Sequence, residues 1–296
     1  MWIDDTEITI TGKLIKTARL REEWYRDVED PSSFIGRLKG ERKRGRLKAD
    51  IFTFWQRLPE VTRKYEHYTE WDSIAAIPIK TFSFWWEQQI NPKVRNMIRK
   101  AEKKGVEIKV VKYNDEFIGG MTRIFNESPI RQGRPFWHFG KDFETIKQEF
   151  SRNIFREDLI AAYYMNELIG FIMLADAGRY ASISQILSSS IHRDKSPINA
   201  LLAKAVQICD ERKFPYLVYA RWLSGTLGDF KRHNGFERIN LPRYYIPLSI
   251  KGTLALRARL HHGAKGIFSE HVLDVSRALR NKWYAKRGST LKSALK

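Results

Sequence analysis

The side chains able to do chemistry fall into a few groups along this 296-residue chain. Cations come first. Lys39 to Lys48 is almost unbroken positive charge centred on Arg42, Lys43 and Arg44, and Arg95, Arg99 and Lys103 load a second stretch. After Asp274 the chain carries no acid. Guanidinium groups grip phosphate oxygens in pairs and interleaved aromatics stack on bases, so these clusters fit a polyanion such as RNA or anionic lipid. A plain solvated surface is the alternative. Tyr244 and Tyr245 adjoin, and strand alternation turns one of them inward, as a general acid or as a core residue. Asp176 and Asp229 are candidate bases. His138, between Trp137 and Phe139, belongs to a cleft wall or to a loop packed on itself. His261 and His262 are adjacent and cannot share a helix face, so no metal pair, and no metal at all, is expected. Cys209 sits among Ala205, Val206 and Ile208 in a helical run and reads as a small core filler.

Composition sets the limits for all of these. Lys and Arg number 53 against 34 Asp and Glu, a net charge of +19, which favours polyanionic partners. Hydrophobic residues make up 43% and aromatics 13%, enough for a packed interior. A single cysteine excludes a disulfide framework and a cysteine-ligated zinc. No stretch has the order of a signal peptide or approaches 18 uninterrupted apolar residues, so a cytoplasmic location is expected, with peripheral membrane contact left open.

The elements that must position these groups follow from periodicity. Glu7–Ile10 and Trp24–Val28 have strand composition, and Pro31 with Ser32 or Ser33 opens a helix. Phe34, Ile35 and Leu38, then Ile51, Phe52, Phe54, Trp55 and Leu58, suggest helix interrupted by the basic segment. Trp71–Ile79 reads as strand. Phe82–Gly105 is helical with one broad apolar face, split at Pro92 and capped by Asn91. Val106–Val111 is a strand, and Asp115–Phe125 and Phe143–Phe155 are helices. Leu159–Met165 and Leu168–Ala175 form a hairpin about Asn166-Glu167. Tyr180–Ser188 is strand, Ser196-Pro197 starts a helix running to Glu211, and Tyr216–Tyr219 is a short buried strand. Leu227–Asn234 is a short helix and Tyr244–Leu248 a closing strand. Thr253–His262 and Glu270–Tyr284 append basic amphipathic helices. The organisation expected is a β-rich lobe over residues 1–81, a main domain over 82–249 and a basic helical extension over 250–296.

Three segments, in this order, resemble the GNAT superfamily of N-acetyltransferases and, within it, the Fem-type aminoacyl or peptidyl transferases. Arg95 to Gly105 resembles the helix before the Fem catalytic module. Asn199 to Val206 resembles the central helix, and Gly228 to Phe236 the segment with a Phe-Lys pair and an Asn-Gly exit. The resemblance covers roughly residues 82–249. It implies an α/β (α+β) fold, a mixed and mostly antiparallel sheet flanked by helices, with a smaller or degenerate GNAT-like lobe ahead of it. It implies an acyltransferase that forms an amide on an amine acceptor. Lys231 would meet the donor terminus or the oxyanion, with Tyr245 and Gln185 as the other catalytic candidates. Arg193, Lys195, Asn199, Arg221, Trp222 and Phe230 would bind donor or substrate.

The donor is where this chain departs from the acetyl-CoA enzymes. Those hold a pyrophosphate on a glycine-rich turn opening the central helix, where exposed N–H groups face the phosphates. Here the equivalent stretch, His192 to Asn199, has no glycine, Pro197 removes a donor and Asp194 adds negative charge. Aminoacyl-tRNA is therefore favoured as co-substrate, acyl-CoA is second, and no permanently bound cofactor is expected. A small-molecule or peptide amine is the acceptor. The competing class is a non-catalytic binder of RNA or membrane surfaces on the same fold, to which a tail bearing Arg280, Lys282, Trp283, Tyr284 and Lys286 would contribute.

Overall fold

The computed structural model describes residues 1–262 apart from residues 4, 29, 132 and 153. The chain opens with β1 (Trp2–Ile3), β2 (Thr6–Thr11), β3 (Thr17–Leu20), α1 (Pro31–Lys43), β4 (Ile51–Trp55) and β5 (Tyr68–Pro78). Next come α2 (Phe82–Phe84), a π-turn over Trp85–Gln89, α3 (Pro92–Lys103), β6 (Glu107–Val111) and α4 (Asp115–Phe125). A small ribbon, β7 (Ile130–Arg131) and β8 (Arg134–Pro135), precedes α5 (Phe143–Ser151). Then follow β9 (Glu157–Tyr164), β10 (Glu167–Asp176), β11 (Ala181–Ser188) and α6 (Pro197–Glu211). The described chain closes with β12 (Tyr216–Arg221), α7 (Thr226–His233), β13 (Glu237–Pro247) and α8 (Ile250–Arg257). The helix expected over Glu270–Tyr284, and with it the tail aromatics, lies outside the described residues.

Two compact units result, residues 1–72 with 240–262 and residues 73–239. The boundaries expected at 81/82 and 249/250 fall at 72/73 and 239/240 instead, inside β5 and β13. Both strands are longer than their apolar stretches suggest, so the change of unit leaves no mark in composition.

In the first unit, β1, β2 and β3 run antiparallel, β3 lies parallel to β4, and β4 pairs antiparallel with β13 from Arg243↔Trp55 to Pro247↔Ile51. All of Ile51–Trp55 is buried. That run was expected as helix. A short unbroken apolar run does not reveal its own period, and a strand buried on both faces is the outcome. Trp24–Val28, expected as strand, is the end of a turn followed by irregular chain. The cap of α1 is Asp30, whose carboxylate accepts from the Ser33 N–H, rather than either serine.

In the second unit the strand order is β5, β12, β11, β10, β9, β6, antiparallel except for β11 beside β12. The mixed, mostly antiparallel sheet flanked by helices is the fold class expected. Asn91 caps α3 and Pro92 occupies its first turn, as the sequence indicates. The β9–β10 hairpin turns through Met165 and Asn166, both at positive φ, one residue earlier than expected. Helix α6 packs its buried stripe, Leu201, Leu202, Ala205, Val206 and Cys209, against the sheet. Burial pushes the Cys209 thiol up to about 12, which leaves it an inert filler.

Candidate active site

The site begins with a mismatch of lengths. β11 runs for eight residues, yet its pairing with β12 covers Ala181↔Leu217 and Ser182↔Val218 alone. Beyond Ser182 the two parallel strands part. The cause on the β12 side is a bulge, since Val218 and Arg221 flank an extra residue relative to Ala76 and Ile74 on β5. Within it Ala220 takes a positive φ of 51°. Into the gap opens a cavity of about 550 Å³. Its walls are Gln185 to Ser188 of β11, Tyr219 of β12, Thr226, Leu227 and Phe230 of α7, Arg193 and Ile198 at the entry to α6, and Arg131 with Phe136–His138.

The bulge is held from behind by Lys231. This side chain is 1% exposed. Its ammonium donates to the carbonyl oxygens of Tyr219 and Arg221, both at 2.7 Å, and lies 4.4 Å from the Tyr219 ring centre. Burial depresses its pKa to about 8. The lysine expected at the mouth of the strands therefore sits behind the wall, holding β12 rather than lining the cavity. Periodicity explains why the sequence did not reveal this: a lysine on a short basic helix looks solvated until its partner strand is known.

The remaining candidates divide clearly. Gln185, Arg193 and Phe230 line the cavity. Asn199 is buried and donates to the Asn234 side chain at 3.1 Å, which fixes α6 to the exit of α7 and leaves it outside the lining. Lys195 is turned onto the Tyr164 ring and toward Asp194, and Asp194 also accepts from Lys104 at 2.6 Å. Arg221 is exposed, and Trp222 packs on the core while its N–H donates to the Ser73 carbonyl. Tyr245 belongs to the other unit, where it is buried against His261, and burial followed by Glu70 raises its pKa. It is not part of this cavity. Tyr244 is inward too, since its hydroxyl donates to Gln56 and accepts from the Lys64 N–H. Asp176 accepts from the Gly178 N–H and Asp229 pairs with Arg232, so neither carboxylate reaches the lining.

Of the polyanion candidates, Arg95 is committed to the carbonyls of Trp86, Glu87 and Ile90, closing the π-turn. Arg42 faces Asp50 and Arg44 pairs with Glu41, whereas Lys43, Arg99 and Lys103 are exposed.

Two lining groups were not singled out from the sequence. Arg131 donates to the carbonyls of Ser188 and Ile124 and contacts Glu127, and its buried Nε has no partner. Burial lowers its pKa, Glu127 opposes that and nearby Arg193 adds to it. Tyr219 is the other, its phenol pushed up to about 12 by burial. Neither stands in a motif, and only the bulge and the β7–β8 ribbon bring them here. His138 stacks on Phe125 with ring centres 4.5 Å apart. Burial, then Lys141, lowers its pKa to about 4, so it enters the wall as a neutral ring.

Gly228 is the steric keystone of α7. A Cβ there would meet the Leu223 carbonyl oxygen at 2.1 Å, so the turn from Leu223 into the helix requires glycine. Gly228→Ala is expected to shift the start of α7 and lower stability by about 1–3 kcal/mol. Urea denaturation monitored by tryptophan fluorescence checks this; an unchanged midpoint would refute it.

No family model and no curated protein matches the sequence. Solved structures do. FemX superposes with a TM-score of 0.57 at 10% identity, over 84% of this chain and 85% of that one. The C-terminal domain (DUF2156) of a putative lysylphosphatidylglycerol synthetase from Agrobacterium fabrum gives 0.56 at 12% identity, over 86% and 84%. L-PGS from Bacillus licheniformis gives 0.54 at 14%, over 86% and 85%. The fold is that of the Fem-like GNAT branch, as the three sequence segments imply. Among the described residues no helix is long and apolar enough to cross a membrane.

Proposed function

We propose that this protein is an acyltransferase that carries an acyl group from an activated ester to an amine, with aminoacyl-tRNA as the donor. The parting of β11 and β12 carries the reading. It creates a cavity of about 550 Å³ bounded by one edge of each strand, room for an activated carbonyl and an incoming amine. The amine nitrogen attacks the ester carbonyl carbon and an N–C bond forms. The tetrahedral oxyanion then collapses, the C–O bond to the ribose breaks, and the amine proton passes to the departing ribose oxygen, which leaves as a hydroxyl. Positioning and a few hydrogen-bond donors suffice for such a reaction. In this reading Gln185 orients the acceptor, Phe230 and Tyr219 flank the acyl group, and Arg193 with Arg131 faces donor phosphate or the developing charge.

Three features favour tRNA over CoA. Helix α6 begins with Ser196 at φ 54°, lacks a side-chain cap and has Pro197 in its first turn, so it offers a poor cradle for a pyrophosphate. Asp194 stands at the same entry. The chain carries a net +19. Lysylphosphatidylglycerol synthetases among the like-folded structures favour an aminoacyl cargo as well, and put a lipid beside a peptide as acceptor.

Filter binding of aminoacyl-tRNA against rising salt tests the donor. Affinity is expected to fall by about tenfold or more between about 50 and 200 mM salt, and Arg193→Glu to weaken it further without lowering the melting temperature. Saturable binding of acetyl-CoA, together with tRNA binding that salt leaves unchanged, would overturn the reading.

A further inference from the structure

The first unit holds a cluster that the proposed transfer chemistry does not use. Helix α8 ends at Arg257, and the chain then turns through Arg259 at φ 55° into a short helical turn over residues 260–262. This turn lies outside the regular helix, and it brings the adjacent His261 and His262 onto one target. The His261 Nε2 lies 2.9 Å from Glu70 Oε1, and the His262 Nε2 lies 2.6 Å from Glu70 Oε2. The two imidazole centres are 4.1 Å apart. One ligand atom from each of the three residues falls within 4.8 Å of the other two. Adjacent side chains diverge on a regular α-helix, but neither histidine is on one.

The geometry points to a divalent transition-metal site, of the zinc class, formed by Glu70, His261 and His262. Two imidazole nitrogens and one carboxylate oxygen are a borderline donor set. They suit Zn²⁺ and its neighbours Co²⁺ and Ni²⁺, whereas Ca²⁺ and Mg²⁺ take all-oxygen shells. Three protein ligands leave a fourth tetrahedral position for water or another ligand. The setting is ordered on one side and open on the other. The His261 side chain is fully buried, boxed by the rings of Tyr245 at 4.7 Å and Tyr68 at 5.8 Å, while His262 is 43% exposed and gives an entry path. Metal would tie the start of β5 to the segment after α8, two stretches some 190 positions apart in sequence.

The affinity expected is moderate, and the structure says why. A metal-bound histidine ordinarily donates its second ring nitrogen to a carbonyl or carboxylate, and losing that partner weakens binding by about 10–100-fold. Here the His261 Nδ1 is buried with no hydrogen-bond partner. Binding weaker by about 10–100-fold than at a three-ligand site with every histidine so supported follows.

The test is titration of the full chain, prepared without a polyhistidine tag, with Zn²⁺ against a chromophoric indicator and with Co²⁺ by visible absorption. One saturable equivalent is expected, with an intense tetrahedral Co²⁺ spectrum and a melting temperature that rises with Zn²⁺ and returns on chelation. His262→Ala changes the more exposed ligand, and Glu70→Gln keeps the shape of the carboxylate. Each is expected to weaken binding by about tenfold or more, with the metal-free melting temperature of His262→Ala near that of the parent. Failure of the parent chain to bind either ion, or binding that both variants retain in full, would overturn the assignment. In that case the cluster is a hydrogen-bonded imidazole–carboxylate triad. Transfer activity plays no part in this readout, so the fate of the acyltransferase reading is decided separately.

Discussion

Lys231→Met is expected to reduce the proposed acyl transfer by about 100-fold, through misplacement of the cavity wall, while leaving a folded protein. The methionine fills the volume of the lysine stem but offers no donor to the Tyr219 and Arg221 carbonyls, both of which the ammonium holds at 2.7 Å. The bulge of β12 is then free to rejoin the ladder, which closes the gap between β11 and β12 that the proposed transfer requires. Two effects on stability oppose each other at neutral pH. Leaving two half-buried carbonyls without a donor costs at most about 1–3 kcal/mol each, and removing a buried charge returns an amount of similar size. The net change at pH 7 is therefore small, and pH separates the parts. The Lys231 pKa falls from 10.5 to about 8 on folding. Between those values the unfolded chain binds the proton and the folded chain has released it, so stability rises with pH through this window. Relative to Lys231→Met, the parent should gain up to about 3 kcal/mol between pH 8 and 10.5. That figure is a ceiling, because the two carbonyl bonds favour the ammonium and hold the pKa up. Urea unfolding of both proteins at pH 7 and pH 10 measures the difference. A parent that loses stability relative to the variant across this range would contradict the burial of the charge.

What the sequence discloses depends on how local the determining interactions are. Helix α6 runs from Pro197 to Glu211, as read, because a proline in the first turn and a continuous apolar stripe are written within fifteen residues. The Asn91-Pro92 start of α3 and the positive-φ turn at Asn166 are equally local. The run Ile51–Trp55 suggests helix in the sequence yet forms a strand, because burial on both faces erases the alternation that distinguishes one. The candidate site was legible only in that Gln185, Arg193 and Phe230, singled out in the sequence, line the cavity. Its depth was not. Whether Lys231 faces water or two carbonyls depends on a bulge ten and twelve residues upstream, and Arg131 reaches the cavity through its hold on the Ser188 carbonyl, 57 positions away. Periodicity carries no record of such partners. Glu70 and the two histidines illustrate the same limit, since a helical reading of residues 253–262 sets adjacent side chains apart and the chain instead leaves the helix before them.

Arg243→Met carries the largest expected loss of stability, about 3–5 kcal/mol. Nothing beside Arg243 in the sequence marks it out. In the fold it is 6% exposed, its Nε donates to Asp72 at 2.5 Å, and its two Nη groups reach the carboxylate of Glu23 at 3.1 and 3.2 Å. Those partners lie 171 and 220 positions away. Burial by itself would lower the guanidinium's pKa, but Glu23 and Asp72 outweigh it and raise the value, so the group stays charged at any pH the protein survives. Methionine would remove the guanidinium that the poorly hydrated carboxylates of Glu23 and Asp72 share, and would give up its 5.4 Å approach to the Trp55 ring. Lysine should restore only part of the loss, because a point charge cannot address both carboxylates with the geometry of a planar fork. The charge explanation makes a further demand. Neutralising the acids in the same background, as Glu23→Gln with Asp72→Asn and Arg243→Met, should recover much of the stability, since the penalty comes from stranded charge more than from lost packing. If the triple variant unfolds at the same urea concentration as Arg243→Met alone, the packing of the arginine on Trp55 is what matters and the electrostatic account fails.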